Sequence, residues 1–204
     1  MEVARALRQL FPKHVFVATH YNLPNSWCNE ETITKLKELK YRTNEGNLST
    51  EDTYVLERPE FKNIKDAAQK ELDGMFKDFI PEEKCKLRIT QSWVNITEGQ
   101  GYHPFHPHPN SFMSGVYYPM MNAAPIRFHH PSPSTIVPNF RTGNLCNLRS
   151  FILNPQPSTM LLFPSALQHE TATVNEDVDR YSVSFNIFLK GNIGGEPLSM
   201  LQLD

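Results

Sequence analysis

From Lys86 onward the chain is a series of short β-like runs, at Leu87–Ile96, Phe112–Tyr118, Ile126–His129, Ser150–Leu153, Met160–Phe163, His169–Val174 and Tyr181–Leu189. Prolines and turn residues separate nearly every pair. Many short strands joined in this way read as an antiparallel sandwich or jelly roll. In the last run Val183, Phe185, Ile187 and Leu189 alternate with Arg180, Ser182, Ser184 and Asn186, so one face is apolar and the other polar. A polar face turned into such a barrel lines a cavity.

Helices are expected ahead of this region. Asn29 can cap a helix from Glu30 to Lys40, whose Ile33, Leu36 and Leu39 recur at helical spacing. A longer helix is expected from Pro59 to Phe79, with Phe61, Ile64, Ala68, Leu72, Met75 and Phe79 along one face and Pro81 just past its end. Leu10 to Thr19 reads as a first strand. Tyr41 to Asp52, rich in Asn, Gly, Ser and Thr, reads as a loop before a short strand at Thr53 to Leu56. The expected class is mainly β (α+β), with N-terminal helices buttressing one face. A chain of 204 residues, 39% hydrophobic and 21% charged, suits one domain with a full core. Its expected parts are a helical support region at 1–84, a β core at 85–190, and a loosely held tail at 191–204.

The 20 basic and 22 acidic residues nearly cancel, at a net charge of −2, so neither a nucleic-acid binder nor a membrane-surface protein is expected. Cys28, Cys85 and Cys146 are odd in number and far apart, which argues against a disulfide framework and for a reducing compartment. No apolar run approaches the ~20 residues of a membrane helix, and a cytoplasmic protein is expected.

The chemistry concentrates in the histidines. Residues two apart on an extended chain point the same way, so His106 and His108 can offer two imidazoles to one ion from a single segment. A third must come from elsewhere, and His169 at the end of an apolar run can supply it. The competing explanation is a proline-rich loop with incidental histidines. Imidazole suits zinc, copper, iron and nickel alike, so the neighbouring residues must choose the metal. Arg180 follows His169 after a polar turn, and a hairpin could carry its guanidinium back to the metal. Inside an apolar strand it needs a partner, either Asp177 or Asp179 at a sheet edge or a carboxylate ligand that Ser182 and Ser184 would also bind.

The order His106-Pro107-His108, Gly115-Val116-Tyr117-Tyr118, Leu162-Phe163-Pro164-Ser165 through His169, then Arg180-Tyr181-Ser182-Val183-Ser184-Phe185-Asn186 resembles the 2-oxoglutarate and Fe(II)-dependent oxygenases related to prolyl 4-hydroxylases. Leu10-Phe11-Pro12, Arg42-Thr43-Asn44-Glu45-Gly46 with Ser49, and Ser92-Trp93-Val94-Asn95 are similar to the opening segments of a narrower group from marine bacteria and their phages. The resemblance implies a double-stranded β-helix, cupin-like in form, with iron held by His106, His108 and His169. It implies that Arg180, Ser182, Ser184 and Tyr118 bind the distal carboxylate of 2-oxoglutarate. With O2, that cosubstrate would give succinate and CO2 as a C–H bond is hydroxylated. The wider superfamily has a carboxylate where His108 stands, so the resemblance implies either a three-histidine centre, which is consistent with the narrower group, or a site with one position open, with His103, His129 and His130 as spare imidazoles. Trp93, Asn95, Tyr102, Tyr117 and Phe128 would bound the pocket. Two other classes compete: a cupin-like three-histidine metalloenzyme not using 2-oxoglutarate, which usually has a glutamate shortly after the second histidine, and a non-catalytic jelly-roll binding protein. The substrate is not written in the chain, although the prolyl hydroxylase resemblance suggests a peptidyl or amino-acid side chain.

Overall fold

The computed structural model describes residues 15–19, 29–77, 85–119, 125–131, 148–173, 179–194 and 199–204. Asn29 caps helix α1 (Glu30–Lys37) by accepting the Thr32 N–H at 2.8 Å, with Glu30 and Glu31 in the first turn and Lys35 and Lys37 in the last. Those charges complement the helix dipole at both ends. A 3-10 turn at Pro59–Phe61 leads into α2 (Lys62–Phe76), where Ile64, Ala68 and Leu72 repeat every four residues and are fully buried. Phe61 and Met75 extend that apolar face as expected, while Phe79 and Pro81 lie outside the described residues. No helix among the described residues is long and apolar enough to cross a membrane.

The strands are β1 (Phe16–Thr19), β2 (Tyr41–Asn44), β3 (Asn47–Thr50), β4 (Cys85–Thr97), β5 (His103–His106), β6 (Met113–Tyr118), β7 (Ile126–His129), β8 (Ser150–Leu153), β9 (Thr159–Pro164), β10 (His169–Thr171), β11 (Arg180–Ile193) and β12 (Leu201–Leu203). They form two antiparallel sheets. The larger runs β1-β9-β6-β11-β4-β3-β2 with β12 beside β11, and the smaller runs β5-β10-β7-β8. Strands β6 and β9 are buried on both faces, which is why they read as continuous apolar runs. Met113, Tyr117, Met160 and Leu162 pack toward α1 and α2, whereas Val116, Tyr118, Leu161 and Phe163 meet Ile126 and Phe128 of the smaller sheet.

Three expectations are corrected, and one strand is added. The stretch read as a loop at Tyr41–Asp52 is a β2–β3 hairpin, turned by Glu45-Gly46, with Gly46 at φ 75°. A side chain there would be strained and would also meet the Tyr102 carbonyl at 2.7 Å. The segment read as a strand at Thr53–Leu56 is a 3-10 turn over Val55–Glu57, tied to β4 by a bridge from Tyr54 to Ser92 and by the Leu56 N–H donating to Ser92 Oγ at 2.8 Å. The tail is not loose as far as Ile193, because β11 continues past Gly191 and pairs with β12. Strand β5, proline-containing, was not anticipated as a strand at all.

One irregularity decides what faces the cavity. Along β4, Leu87 and Ile89 point into the helix-side core, but farther on Val94 and Ile96 do so. The parity changes because the β4–β11 register jumps from Ile89↔Ile187 to Ser92↔Phe185, placing two residues of β4 opposite the single Asn186. This bulge turns Trp93, Asn95 and Thr97 inward.

Candidate metal centre

Strand pairing brings two of the imidazoles together. His106 closes β5 directly across from His169 at the start of β10, and their ring centroids are 4.4 Å apart. His108 lies two residues beyond β5, where its backbone N–H donates to the Ser165 carbonyl at 2.9 Å. Its ring is 5.1 Å from both of the others. One ligand nitrogen from each of the three lies within 4.8 Å of the other two, the only such cluster among the described residues.

The hydrogen bonds assign the tautomers. His106 Nδ1 donates to the Pro104 carbonyl at 2.7 Å, His169 Nδ1 to the Leu167 carbonyl at 3.0 Å, and His108 Nδ1 to Asn186 Oδ1 at 3.0 Å. Each ring therefore presents its Nε2 lone pair. The Nε2 atoms of His108 and His169 are 3.3 Å apart. With metal–nitrogen bonds of ~2.0–2.1 Å, two imidazoles sharing an ion stand about 3.0–3.4 Å apart, so the cluster fits a cation. Burial pushes the His169 imidazole down to about 3 and that of His108 to about 4, with His106 adding to both, and it lowers His106 as well. All three are neutral at neutral pH, the form that coordinates.

Arg180, Ser182, Ser184 and Tyr118 line the same cleft as His106 and His108. Counted out to its open mouth the cleft is about 570 Å³. Arg180 is buried and donates from Nη2 to the Gly101 carbonyl at 3.0 Å. It does not return by a hairpin from His169: β10 and β11 belong to different sheets, and Arg180 opposes Thr97 of β4. Asn95 Nδ2 donates to Ser184 Oγ at 3.3 Å. Burial pushes the Tyr118 hydroxyl pKa up, so it stays a donor.

Residues 91–186 match the sequence profile of a family described as "Putative 2OG-Fe(II) oxygenase". That stretch holds all three histidines and Arg180, and over it the chain is similar to the 2OG-Fe(II) oxygenases. Among solved structures, HygX from Streptomyces hygroscopicus with nickel, 2-oxoglutarate and hygromycin B bound has a TM-score of 0.59 at 13% identity, over 86% of this chain and 82% of that one. A prolyl hydroxylase from Trichoplax adhaerens, in complex with a hypoxia inducible factor peptide fragment, gives 0.57 at 13% identity, over 85% and 83%. A Pseudomonas putida prolyl-4-hydroxylase gives 0.55 at 12%, over 84% and 91%. At these identities the likeness establishes the fold, a double-stranded β-helix. No curated protein matches the chain by sequence. The oxygenase is thus a non-haem iron enzyme whose cofactors are Fe(II), 2-oxoglutarate as cosubstrate and O2.

Other expected residues of the oxygenase fall elsewhere. Trp93 and Asn95 bound the cleft, whereas Tyr117 is fully buried in the helix-side core, Phe128 packs between the sheets, and Tyr102 is exposed. Of the spare imidazoles, His103 lines the cleft with its Nδ1 accepting from Asn47 Nδ2 at 2.8 Å, and burial pushes it down to about 4. His129 instead faces the Glu170 carboxylate at 3.2 Å. Sequence reasoning missed Asn186 as a partner of His108. The sole signal was its place on the polar face of β11.

Proposed function

We propose that this oxygenase converts 2-oxoglutarate and O2 to succinate and CO2 while hydroxylating a peptidyl or amino-acid side chain. The observation that carries the reading is the convergence of three Nε2 atoms at the rim of a cleft whose wall holds a buried arginine. In this reading His106, His108 and His169 hold the iron. The guanidinium of Arg180 receives the distal carboxylate of 2-oxoglutarate, and Tyr118 adds a hydroxyl donor. Ser184 accepts from Asn95, which leaves its own proton for the ligand, and Ser182 stands two residues along the same face. Bound iron with 2-oxoglutarate supplies the oxidising chemistry, and the chain supplies position and a cavity. Three neutral imidazoles leave the ion's positive charge uncompensated, so the dianionic cosubstrate brings the balancing charge that a carboxylate ligand would otherwise share.

The peptidyl substrate is supported by the prolyl hydroxylases among the similar structures. A single domain over residues 1–204, and a cytoplasmic setting, in a host cell if the chain is phage-encoded, belong to the same proposal. The test is succinate release by anaerobically iron-loaded protein given 2-oxoglutarate, air and peptide mixtures, with mass spectrometry of the peptides. Succinate accompanied by one added oxygen atom on a peptide is expected. No succinate at all would move the site to the cupin-like three-histidine class.

A further inference from the structure

His108 stands where the wider pattern has a carboxylate, and it is held differently from its two partners. His106 and His169 each donate Nδ1–H to the backbone carbonyl two residues earlier, a local bond that no side-chain change removes. His108 reaches a side chain 78 residues away, Asn186 on β11. That amide is buried and pinned at both ends. Its Oδ1 also accepts from Ser114 Oγ at 3.3 Å, and Ser114 is in turn bonded to Ser165 Oγ at 2.7 Å. Its Nδ2 donates to Gln91 Oε1 at 3.2 Å, and its backbone carbonyl accepts from Thr90 Oγ1 at 3.2 Å. Thr90 and Gln91 are the two residues of β4 that the bulge sets opposite Asn186. The bulge that turns Trp93 and Asn95 into the cleft therefore also supplies the clasp on this amide. In this orientation the amide oxygen faces His108 Nδ1 and Ser114 Oγ and the amide nitrogen faces Gln91 Oε1, so each of its polar atoms has a partner.

We propose that Asn186 is the positioning residue of His108: it fixes the Nδ1–H tautomer and aims Nε2 at the point shared with His169, making the third imidazole a competent ligand. An outer partner that orients a metal-bound histidine is generally worth roughly 10- to 100-fold in metal affinity. This inference rests on the three-histidine metal reading above.

The experiment is anaerobic titration of the full chain with Co(II), for wild type, His169→Ala, Asn186→Leu and Asn186→Asp. It is paired with two-bond proton–nitrogen spectra of the histidine rings in the metal-free proteins. Leucine keeps the shape of asparagine without the acceptor. Asn186→Leu should bind Co(II) roughly 10- to 100-fold more weakly. Its His108 signal should become a tautomer mixture, while His106 and His169 keep their Nδ1–H form. Asn186→Asp keeps the acceptor and should bind at least as tightly as wild type. Wild-type affinity together with an unchanged His108 tautomer in Asn186→Leu overturns the inference. If that variant does not fold, Asn186→Asp decides, and binding tenfold weaker than wild type overturns it. His169→Ala separates the two ideas: should it bind Co(II) like wild type, the metal centre itself is misassigned. Loss of binding there, with Asn186→Leu unaffected, removes only the role of Asn186.

Discussion

Replacing Arg180 by methionine keeps most of the side-chain volume and removes the guanidinium. The side chain is buried, so solvent does little to screen its interaction with a bound anion. A hydrogen bond to a charged group contributes about 1.5–3 kcal/mol, and each ~1.4 kcal/mol is a factor of ten. The substitution should therefore weaken 2-oxoglutarate binding about ten- to a hundredfold. It also removes the bond from the charged Nη2 to the Gly101 carbonyl, a loss of about 1.5–3 kcal/mol in stability, or roughly 3–12 °C in melting temperature for a chain of this size. The assay is titration of the anaerobic iron protein with 2-oxoglutarate, followed by metal-to-ligand charge-transfer absorbance, beside a thermal melt. Equal affinity in the two proteins, with the melt lowered, would refute the carboxylate role and leave Arg180 as a structural tie to the turn at Gly101.

Ser184→Ala should cost about 1 kcal/mol of cosubstrate binding, close to fivefold, without loss of iron, and the same titration checks it. Metal-free protein should lose stability as the pH falls. His103, His108 and His169 have folded pKa values below the ordinary 6.5, so below about that pH the unfolded chain takes up protons the folded chain does not. Each contributes a slope of up to ~1.4 kcal/mol per pH unit between about 6.5 and 4, and an unchanged urea midpoint between pH 7.5 and 5.5 would contradict it. Gly115→Ala places a methyl 2.2 Å from the Phe185 ring, which is fully buried, so it should destabilise by at least ~1–3 kcal/mol, read from the urea midpoint.

Much of the centre is legible because period-two logic is local. His106 and His108 share a side of one segment, and Arg180, Ser182 and Ser184 share a face of β11. Partnerships set by tertiary register are not legible. Nothing in Ile89 or Ser92 announces the bulge between them, and without it Trp93 and Asn95 would point into the helix-side core. Asn186 looked like one more polar residue because its partner is 78 positions away. The β2–β3 hairpin was hidden by composition: β2 is an edge strand with a mostly exposed face, so its polar residues read as loop although Glu45-Gly46 is a two-residue turn. Leu201 and Leu203 pair with the end of β11, too short a run to stand out from a tail.

Iron content after anaerobic loading and desalting tests the three-histidine centre most directly, comparing wild type with His106→Ala, His108→Ala, His169→Ala and, as a control outside the cluster, His129→Ala. Wild type and His129→Ala should each hold one iron per chain, and each of the other three should lose most of it. Full stoichiometric iron in His169→Ala would contradict the assignment, because the two remaining imidazoles lie on one short segment and could not by themselves account for a site built across β5 and β10.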